Sequence, residues 1–474
     1  MSNSNTNKFS QVKQLKDESK FKEALKMIEK LEEKKGLTNQ DQFEIHHLKS
    51  SLLSELGYFN EALKYVELAY KESQQMKNDL QIIKVLISKS SLLLKLTKLD
   101  EALKIIINAE QKLKKINHIT SKEYKEKYAS LTLCKGHYHW NMGDFNRSLE
   151  CADKVLAIAE EIKNDMLKLS ATKLLSFNYS IRGEYEHNLE NNKRLLALAK
   201  KINDKQEMIS ALNILGIILT EKAEFDKALG YLKQGLSICD EINSFKKAAV
   251  LSSLLDLYLE MNHLDKAQEC LDRIKQIRNQ EPIKWYKDLY RLEKAGLLKK
   301  KLQEINHLKA KEIYKQIVDE EDIFIEFYYV SLINLCDSYL KELQKTNDLK
   351  LLDEIQPYIR RLMNIAKSQQ SFLLLAEGYL FQAKLKLIIF DFKKAEDFLT
   401  QALNTAEKYG QDLLIKRIMN EQGELSKNLI KWEKLKDTRA SMSERMDLAR
   451  IDEQIELLLQ KRKYLKNIRI SHES

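Results

Sequence analysis

The sequence predicts an all-α protein, a right-handed α-solenoid of about ten helical hairpins with a helical cap at its C-terminus. Two observations lead to this fold. The 474 residues include only 12 Gly and 2 Pro, too few for the turns that β-sandwiches and barrels need about every 8–12 residues. In addition, a short block of sequence recurs about every 40 residues, a period that is typical of helical-repeat proteins.

The composition is that of a folded protein with a mixed-charge surface. Hydrophobic residues make up 43% of the chain and charged residues 32%, and 80 basic residues against 70 acidic ones leave a net charge of +10. Only 14 of the basic residues are Arg, whereas proteins that bind nucleic acid favour the planar Arg side chain. The excess of Lys therefore predicts a solvated surface, and we do not expect a nucleic-acid partner.

The N-terminus and the cysteines favour a cytoplasmic protein without a membrane partner. Residues 1–7 are polar, do not resemble a signal peptide and are expected to be disordered. The best membrane-length segment contains Glu377, Lys384 and Lys386, and each charge would cost about 2.5–3.5 kcal/mol at a bilayer centre. None of the 5 cysteines belongs to a CxxC pair, as expected for reduced thiols.

The repeated block begins with an aromatic residue or Leu and continues through polar residues to a small residue and an apolar one, as in FKEAL, FNEAL, LDEAL and FDKAL. We call this small or near-small residue the anchor of its repeat. The anchors are Ala24, Ala62, Ala102, Ser148, Asn188, Ala228, Ala267, Ala310 and Ala395, with a degenerate copy near Leu352 or Ile355. Their spacing predicts that each block lies in the second helix of a hairpin.

The first helix of each hairpin has its own signature upstream of the anchor. Small residues lie twelve positions before the anchor, where the two helices are expected to approach closely: Ser50, Ser90, Gly136, Ser176 and Gly216. Glycines lie five positions before it, where the first helix ends: Gly57, Gly143 and Gly183. Acidic residues or Asn follow where the second helix starts: Asn60, Asp100, Asp144, Asp226 and Asp265.

This register resembles the tetratricopeptide repeat over about residues 8–410. The clearest copies are residues 209–242, with Gly216, Phe225 and Ala228 in the family's places, and residues 43–76. The chain departs from the family in two ways. Its repeats lack the Trp at repeat position 4 and the Pro that closes the family's repeat near position 32. Its period is about 40 residues instead of 34, which allows two helices of about 17 residues each. Such long repeats look like those of sensor arms of bacterial transcription regulators and of kinesin light chains. The resemblance implies a right-handed superhelix with a concave groove.

After Gly410 the pattern changes, and residues 411–474 predict two further helices. The first, from Asp412 to about Lys436, is expected to cap the last repeat. The second, from Ser443 to about Lys466, carries apolar residues at heptad-like spacing and either packs on the solenoid or forms a coiled coil with a partner or a second copy. The stretch from Glu444 resembles a segment that follows tetratricopeptide repeats in some archaeal proteins.

No catalytic residue, cofactor site or metal site is predicted. The chain lacks a phosphate-binding glycine loop, a zinc-protease HExxH motif and a GxSxG nucleophile elbow, and we expect that it is not an enzyme. Cys134, His137 and His139, with Cys151 in the next helix, are the one metal-like cluster. On a helix only Cys134 and His137 share a face, so the cluster cannot close a tetrahedral zinc site without other ligands.

The resemblance places the concave surface at positions 2, 5, 9 and 12 of each first helix. In the fourth to sixth repeats these positions hold aromatic, cationic and amide side chains, which suit an extended peptide. The predicted groove residues are His137, Trp140, Lys173, Phe177 and Asn213. Each could instead pack against the second helices.

The leading hypothesis is a non-catalytic scaffold that binds a peptide or helix of a protein partner in this groove. One alternative is a ligand-sensing arm of a signalling or transcription system, which would need an effector domain. A second alternative is a nucleic-acid-associated helical repeat protein, which would need a continuous basic stripe. A basic patch exists, but residues 319–322 beside it are all acidic. The patch consists of Arg291, Lys294, Lys299, Lys300 and Lys301.

Overall fold

The structure, a computed structural model, describes residues 9–18, 20–96, 98–116, 121–182, 184–242, 244–280, 283–320, 323–368, 372–408 and 412–459. Over these residues the chain is helical and has no β-strand. The helices of the repeats are α1 Ser10–Asp17, α2 Phe21–Glu32, α3 Asn39–Glu55, α4 Phe59–Gln75, α5 Asp79–Lys95, α6 Leu99–Lys114, α7 Lys122–Asn141, α8 Phe145–Glu161, α9 Asp165–Arg182, α10 Tyr185–Lys201, α11 Lys205–Glu221, α12 Phe225–Ile242, α13 Lys247–Glu260, α14 Leu264–Gln280, α15 Lys284–Lys300, α16 Glu304–Asp319, α17 Ile325–Thr346, α18 Lys350–Ser368, α19 Phe372–Leu387 and α20 Phe392–Lys408. After them come α21 Asp412–Lys427, α22 Leu429–Asp437, α23 Met442–Ala449 and α24, residues 451–459.

The helices form two layers. Each odd-numbered helix packs against the even-numbered helix that follows it, and most odd-numbered helices also contact the next odd-numbered one, as α5 contacts α7 and α13 contacts α15. The odd-numbered helices therefore lie closer together than the even-numbered ones and form the inner, concave layer. This arrangement confirms the predicted all-α solenoid of helical hairpins. We call the concave surface of the odd-numbered helices the groove.

The anchors occupy the place that the register predicts. All of them lie in even-numbered helices, each at most 1% exposed, and Ile355 is the anchor of the degenerate ninth repeat. The small residues opposite them mark close helix contacts. A Cβ added to Gly216 would lie 2.4 Å from the Leu232 side chain of the same hairpin, and one added to Gly136 would lie 3.1 Å from Cys151 on α8 and 2.5 Å from Leu174 on α9. The hydroxyl of Ser50 donates a 2.9 Å hydrogen bond to the carbonyl of the anchor Ala62.

Two anchors are polar, and the structure explains them. Asn178 donates to the hydroxyl of Ser148 at 2.9 Å, and Asn188 donates to the hydroxyl of Ser180 at 2.9 Å. Asn192 in turn donates to the side-chain oxygen of Asn188 at 2.7 Å. These side chains are buried, where an unpaired polar group would be costly, so the two polar anchors are tolerated because each has a hydrogen-bond partner.

The turn inside each hairpin uses left-handed backbone. Gly57 and Gly143 have φ of 83° and 73°, as predicted, while Gly183 lies outside the described residues. The same register position holds Ala223 and Asn262, with φ of 56° and 57°. The turn geometry is therefore kept where the sequence offers no glycine, at a steric cost to the residue with a Cβ.

The C-terminal helices are shorter than predicted. The predicted helix from Asp412 to Lys436 is divided at Asn428 into α21 and α22. The helix predicted from Ser443 is interrupted at Arg450, which has a left-handed φ of 52°, and residues from 460 onward lie outside the described part. α21 packs on α20, while α23 packs against α17 and α19 in the groove. The described part of the second helix thus packs on the solenoid.

We predict that Ala223→Gly raises the free energy of unfolding by about 1 kcal/mol, because glycine relieves the strain of a Cβ at positive φ. The measurement is urea unfolding followed by circular dichroism. Ala157→Gly is the matched control, since Ala157 is an exposed residue inside α8. There the same change should lower stability by about 0.5–1 kcal/mol. Equal effects of the two substitutions would contradict the turn assignment.

We also predict that Gly216→Ala lowers the free energy of unfolding by about 1 kcal/mol or more, because the new methyl group must displace Leu232. Gly230→Ala is the control in the same hairpin. A Cβ there meets nothing within 4 Å, so that change should instead stabilise α12 by up to about 1 kcal/mol. A stabilised Gly216→Ala protein would mean that the two helices are not in close contact.

Candidate binding groove

The structure brings the five predicted groove residues together on three neighbouring helices. His137 and Trp140 lie on α7, Lys173 and Phe177 on α9, and Asn213 on α11. The ring of Phe177 lies 6.4 Å from that of His137 and 6.0 Å from that of Trp140, measured between centroids. Lys173, Phe177 and Asn213 line one small cavity. We call the rings of His137, Trp140 and Phe177 the aromatic platform.

The members of this group differ in how far they reach the surface. Phe177 is 1% exposed and Asn213 is 4% exposed, so both belong largely to the core. His137, Trp140 and Lys173 are half-buried. The indole N–H of Trp140 is buried and has no hydrogen-bond partner among the described residues. The partly accessible part of the group is therefore an aromatic surface beside a cation, and its role in binding stays a prediction.

Three lysines from different repeats face this part of the groove. Lys173 forms a 2.7 Å ion pair with Glu207. Lys246, which is 4% exposed, donates to the hydroxyl of Ser210 at 2.7 Å and to the carbonyl of Gln206 at 3.2 Å. Lys95 donates to the hydroxyl of Ser54 at 3.0 Å. Lys95 and Lys246 were not predicted as site residues, because a solvated lysine and a groove lysine look alike in the sequence.

The electrostatics of the groove reflect these buried cations. Burial lowers the pKa of Lys246, and the nearby charge of Lys173 lowers it further, although Glu207 opposes the change. Burial alone would raise the pKa of Glu207, but Lys173 and Lys246 outweigh it and hold that pKa below its ordinary value. Burial, followed by the charges of Lys173 and Lys95, lowers the pKa of His137 to about 4. His137 is therefore neutral at pH 7.

Many polar side chains in the groove join one repeat to the next. Lys16 on α1 donates to Ser51 on α3 at 2.7 Å, and Lys299 on α15 donates to Asn334 on α17 at 2.6 Å. Ser252 on α13 donates to Glu293 on α15 at 2.7 Å. The partners are separated by 35, 35 and 41 residues, close to one repeat. A basic residue at a groove position therefore also serves to hold neighbouring inner helices together.

The other candidate clusters have ordinary structural surroundings. Burial raises the pKa of Cys134 to about 11, and its thiol lies 3.8 Å from the carbonyl oxygen of Ile87. No group of three or more His, Cys, Asp or Glu residues suited to a metal ion occurs in the described part of the chain. In the basic patch, Arg291 lies 2.6 Å from Glu320 and Lys299 lies 2.5 Å from Asp337. These two cations are thus paired with acids. Among the helices described, none combines the length and the apolar character needed to cross a bilayer.

Comparison with known proteins supports the repeat assignment. Residues 43–75, which contain most of α3 and all of α4, match the family model for the tetratricopeptide repeat. No curated protein matches the chain. Among solved structures, a Rap protein complexed with competence and sporulation factor is 16% identical, with a TM-score of 0.47 and coverage of 85% of this chain and 98% of that one.

Two other solved structures are similar at the same low level. The human IFIT1 dimer with m7Gppp-AAAA is 14% identical, with a TM-score of 0.43 and coverage of 90% of each chain. A STAND protein from Pyrococcus horikoshii with a tetratricopeptide repeat sensor is 16% identical, with a TM-score of 0.40, and the similarity covers 81% of this chain and 56% of that one.

Because His137 is neutral in the folded protein, we expect the stability of the protein to depend on pH. Its pKa is about 4 in the folded protein against 6.5 for the unperturbed group, so the unfolded state takes up the proton first as the pH falls. The stability contributed by neutral His137 is complete above pH 6.5 and is lost as the pH falls toward 4. As the pH falls through this window, the unfolding free energy of the His137→Gln protein should fall less steeply than that of the parent, by up to about 1.4 kcal/mol per pH unit. The measurement is chemical denaturation at several pH values, which gives the free energy of unfolding at each pH.

The matched control is His187→Gln, because the His187 side chain is 73% exposed. This substitution should leave the pH dependence of stability as it is in the parent protein. If His137→Gln and His187→Gln gave the same pH profile as the parent, the pKa of His137 would not be lowered in the folded protein.

Proposed function

We propose that this tetratricopeptide-like helical-repeat protein is a non-catalytic scaffold that binds a peptide or helix of a partner protein in its groove. Repeats of this kind contact only their neighbours, so the inner helices leave an extended concave surface. The observation that carries the proposal is the aromatic platform, whose rings converge from α7 and α9 beside Lys173. Aromatic side chains next to a cation are typical anchors of protein interfaces.

The chemistry of this part of the groove favours a segment that offers both apolar and acidic groups. The partly accessible rings of His137 and Trp140 can contact an apolar side chain of a bound segment. Burial lowers the pKa of Lys95, and the charges of Lys173 and Lys246 lower it further. Glu207 already offsets this repulsion in part, and an acidic group on the partner would relieve it further. The partner we propose is therefore an acidic segment with at least one large apolar side chain.

The remaining expectations follow from the same proposal. A reduced, cytoplasmic setting agrees with cysteines that are all free, four of them buried. If the chain is instead a sensor arm of a signalling or transcription system, the same groove would bind a ligand, and this binding would control an effector domain. Nucleic-acid binding is less favoured, since Arg291 and Lys299 of the basic patch are engaged with acids.

The proposal is tested with Trp140→Ala in the full chain. A displayed peptide library is selected on the parent protein, and the enriched peptide is then titrated by fluorescence anisotropy. We expect Trp140→Ala to weaken this peptide by about 30-fold, the loss typical of an interface hot spot, while helicity is retained. Phe177 is a poorer choice, because truncating a side chain that is 1% exposed would cost about 3–5 kcal/mol of stability.

Tyr138→Ala is the control on the same helix. Tyr138 is two residues from Trp140, so it points to the other side of α7, where it packs against the core of the third repeat. This control should bind the peptide as the parent does. Equal affinity of the Trp140→Ala and Tyr138→Ala proteins for the selected peptides would remove the aromatic platform from the proposal.

A further inference from the structure

The groove of the last repeats is occupied by the chain itself. After α22 the chain turns through residues 438–441 and lays α23 against α17 and α19. Residues 442–459, which we call the cis segment, comprise α23, the break at Arg450 and α24. α21 already covers α20, and Trp432 on α22 packs against Phe390 and Phe392. The end of the solenoid is thus covered by other residues, and the cis segment is an addition to it.

The groove holds the cis segment through its main chain as well as its side chains. The N–H of Met442 donates to the side-chain oxygen of Asn347 at 2.7 Å, and Gln344 donates to the hydroxyl of Ser443 at 3.1 Å. At the helix break, the ammonium of Lys384 donates to the carbonyl of Ala449 at 2.7 Å. Main-chain groups at both ends of a short helix are therefore satisfied by groove residues, which is how a protein holds a separate peptide.

A second set of polar contacts lies beyond the break. The amide of Gln454, which is 1% exposed, donates to the carboxylate of Glu377 at 2.9 Å. Glu377 and Lys384 lie on α19 of the tenth repeat, seven residues apart, so they share one face of the helix. Arg450 of the cis segment forms a 2.9 Å ion pair with Glu421, the same carboxylate that lies 3.1 Å from Lys384.

The cis segment is amphipathic, and its apolar face is buried against the groove. The buried residues, each at most 3% exposed, are Met442, Met446, Ala449, Ile451, Ile455 and Leu458. Their spacing within each half is three or four residues, as on one face of a helix. Its opposite side is exposed and mainly acidic, as at Glu444, Asp447 and Glu453. The segment thus has the features of an amphipathic helical ligand laid in a groove.

We infer that the inner face of α17 and α19 is a helix-binding surface, and that the cis segment is an intramolecular occupant which a partner helix displaces. The partner chemistry follows from the occupant: Met or aliphatic residues at three- and four-residue spacing, a helix break that exposes a carbonyl to Lys384, and an amide side chain for Glu377. The inference rests on the proposed function only in that the groove binds protein segments. It concerns α17 and α19, whereas the aromatic platform lies on α7 and α9.

The test uses a fluorescent peptide with the sequence of residues 441–459 and the full chain. In the segment variant, Met446→Asp with Ile455→Asp, two buried apolar residues of the cis segment are replaced by carboxylates, and the groove is left intact. We expect the peptide to bind this variant at least about tenfold more tightly than the parent, because the occupied state reduces the apparent affinity by the fraction of open protein. Met419→Asp is the control, since Met419 is 56% exposed on α21; it should behave as the parent.

A change on the groove side completes the test. Adding Lys384→Met to the segment variant removes the donor to the Ala449 carbonyl and should weaken the peptide by about tenfold. Equal peptide affinity of the parent and the segment variant, or no binding to the segment variant, would overturn the inference. The Trp140→Ala protein should bind the peptide as the parent does, so this surface and the aromatic platform can fail separately.

A second measurement covers the case in which the segment variant does not fold. Hydrogen exchange of the parent protein is followed by mass spectrometry with and without an excess of the peptide, made with ¹³C and ¹⁵N so that its fragments differ in mass from those of the protein. Displacement should speed exchange of the amides of residues 442–459, while those of α11 stay unchanged as an internal control. Unchanged exchange of residues 442–459 at saturating peptide would overturn the inference without any variant.

Discussion

The close approach of the two helices in each hairpin is the constraint on which the rest of the structure depends. It favours a small residue on the first helix and a fully buried anchor, most often Ala, on the second, and it leaves no room at Gly216, where Leu232 fills the space that a Cβ would take. Because the contact recurs in successive hairpins, the inner helices are set side by side at a regular spacing. The groove is a consequence of this packing, since the inner layer is the one whose helices meet their counterparts in the next repeat.

The same regular spacing explains why polar residues of the groove have two roles. A side chain on or beside one inner helix reaches the equivalent helix of the neighbouring repeat, as Lys95 reaches Ser54 and Lys246 reaches Ser210. Such contacts cross-link the repeats, and they also place cations along the concave surface. In the last repeats the corresponding polar groups, Lys384 and Glu377, contact residues of the cis segment. The inner helices therefore form the groove in the same way along its length, but in the last repeats its polar side chains contact the cis segment.

Much of the fold could be predicted because the repeat is local in sequence. The block around each anchor, the small residue twelve positions earlier and the glycine at Gly57 and Gly143 all encode contacts within one hairpin. Sequence reasoning was less successful where a residue departed from the pattern. The spacing placed Asn188 correctly as an anchor, but its partners Asn192 and Ser180 could not be predicted, because hydrogen bonds between side chains depend on the packed geometry. At Ala223 the register marks the turn, but the residue type gives no sign of its left-handed backbone, which the two flanking helices impose.

The sequence by itself determined the helical class, the period of the repeat, the hairpin register and which five residues would meet near α7, α9 and α11. These properties depend on local periodicity and on small residues, which are visible in the order of amino acids. Only the tertiary structure decided that Phe177 is buried while Trp140 is partly accessible, that Lys95 and Lys246 join the same surface, and that the chain breaks at Arg450 and returns into its own groove. Each of these depends on contacts between residues far apart in the chain, and packing energies of such contacts override the local preferences that the sequence displays.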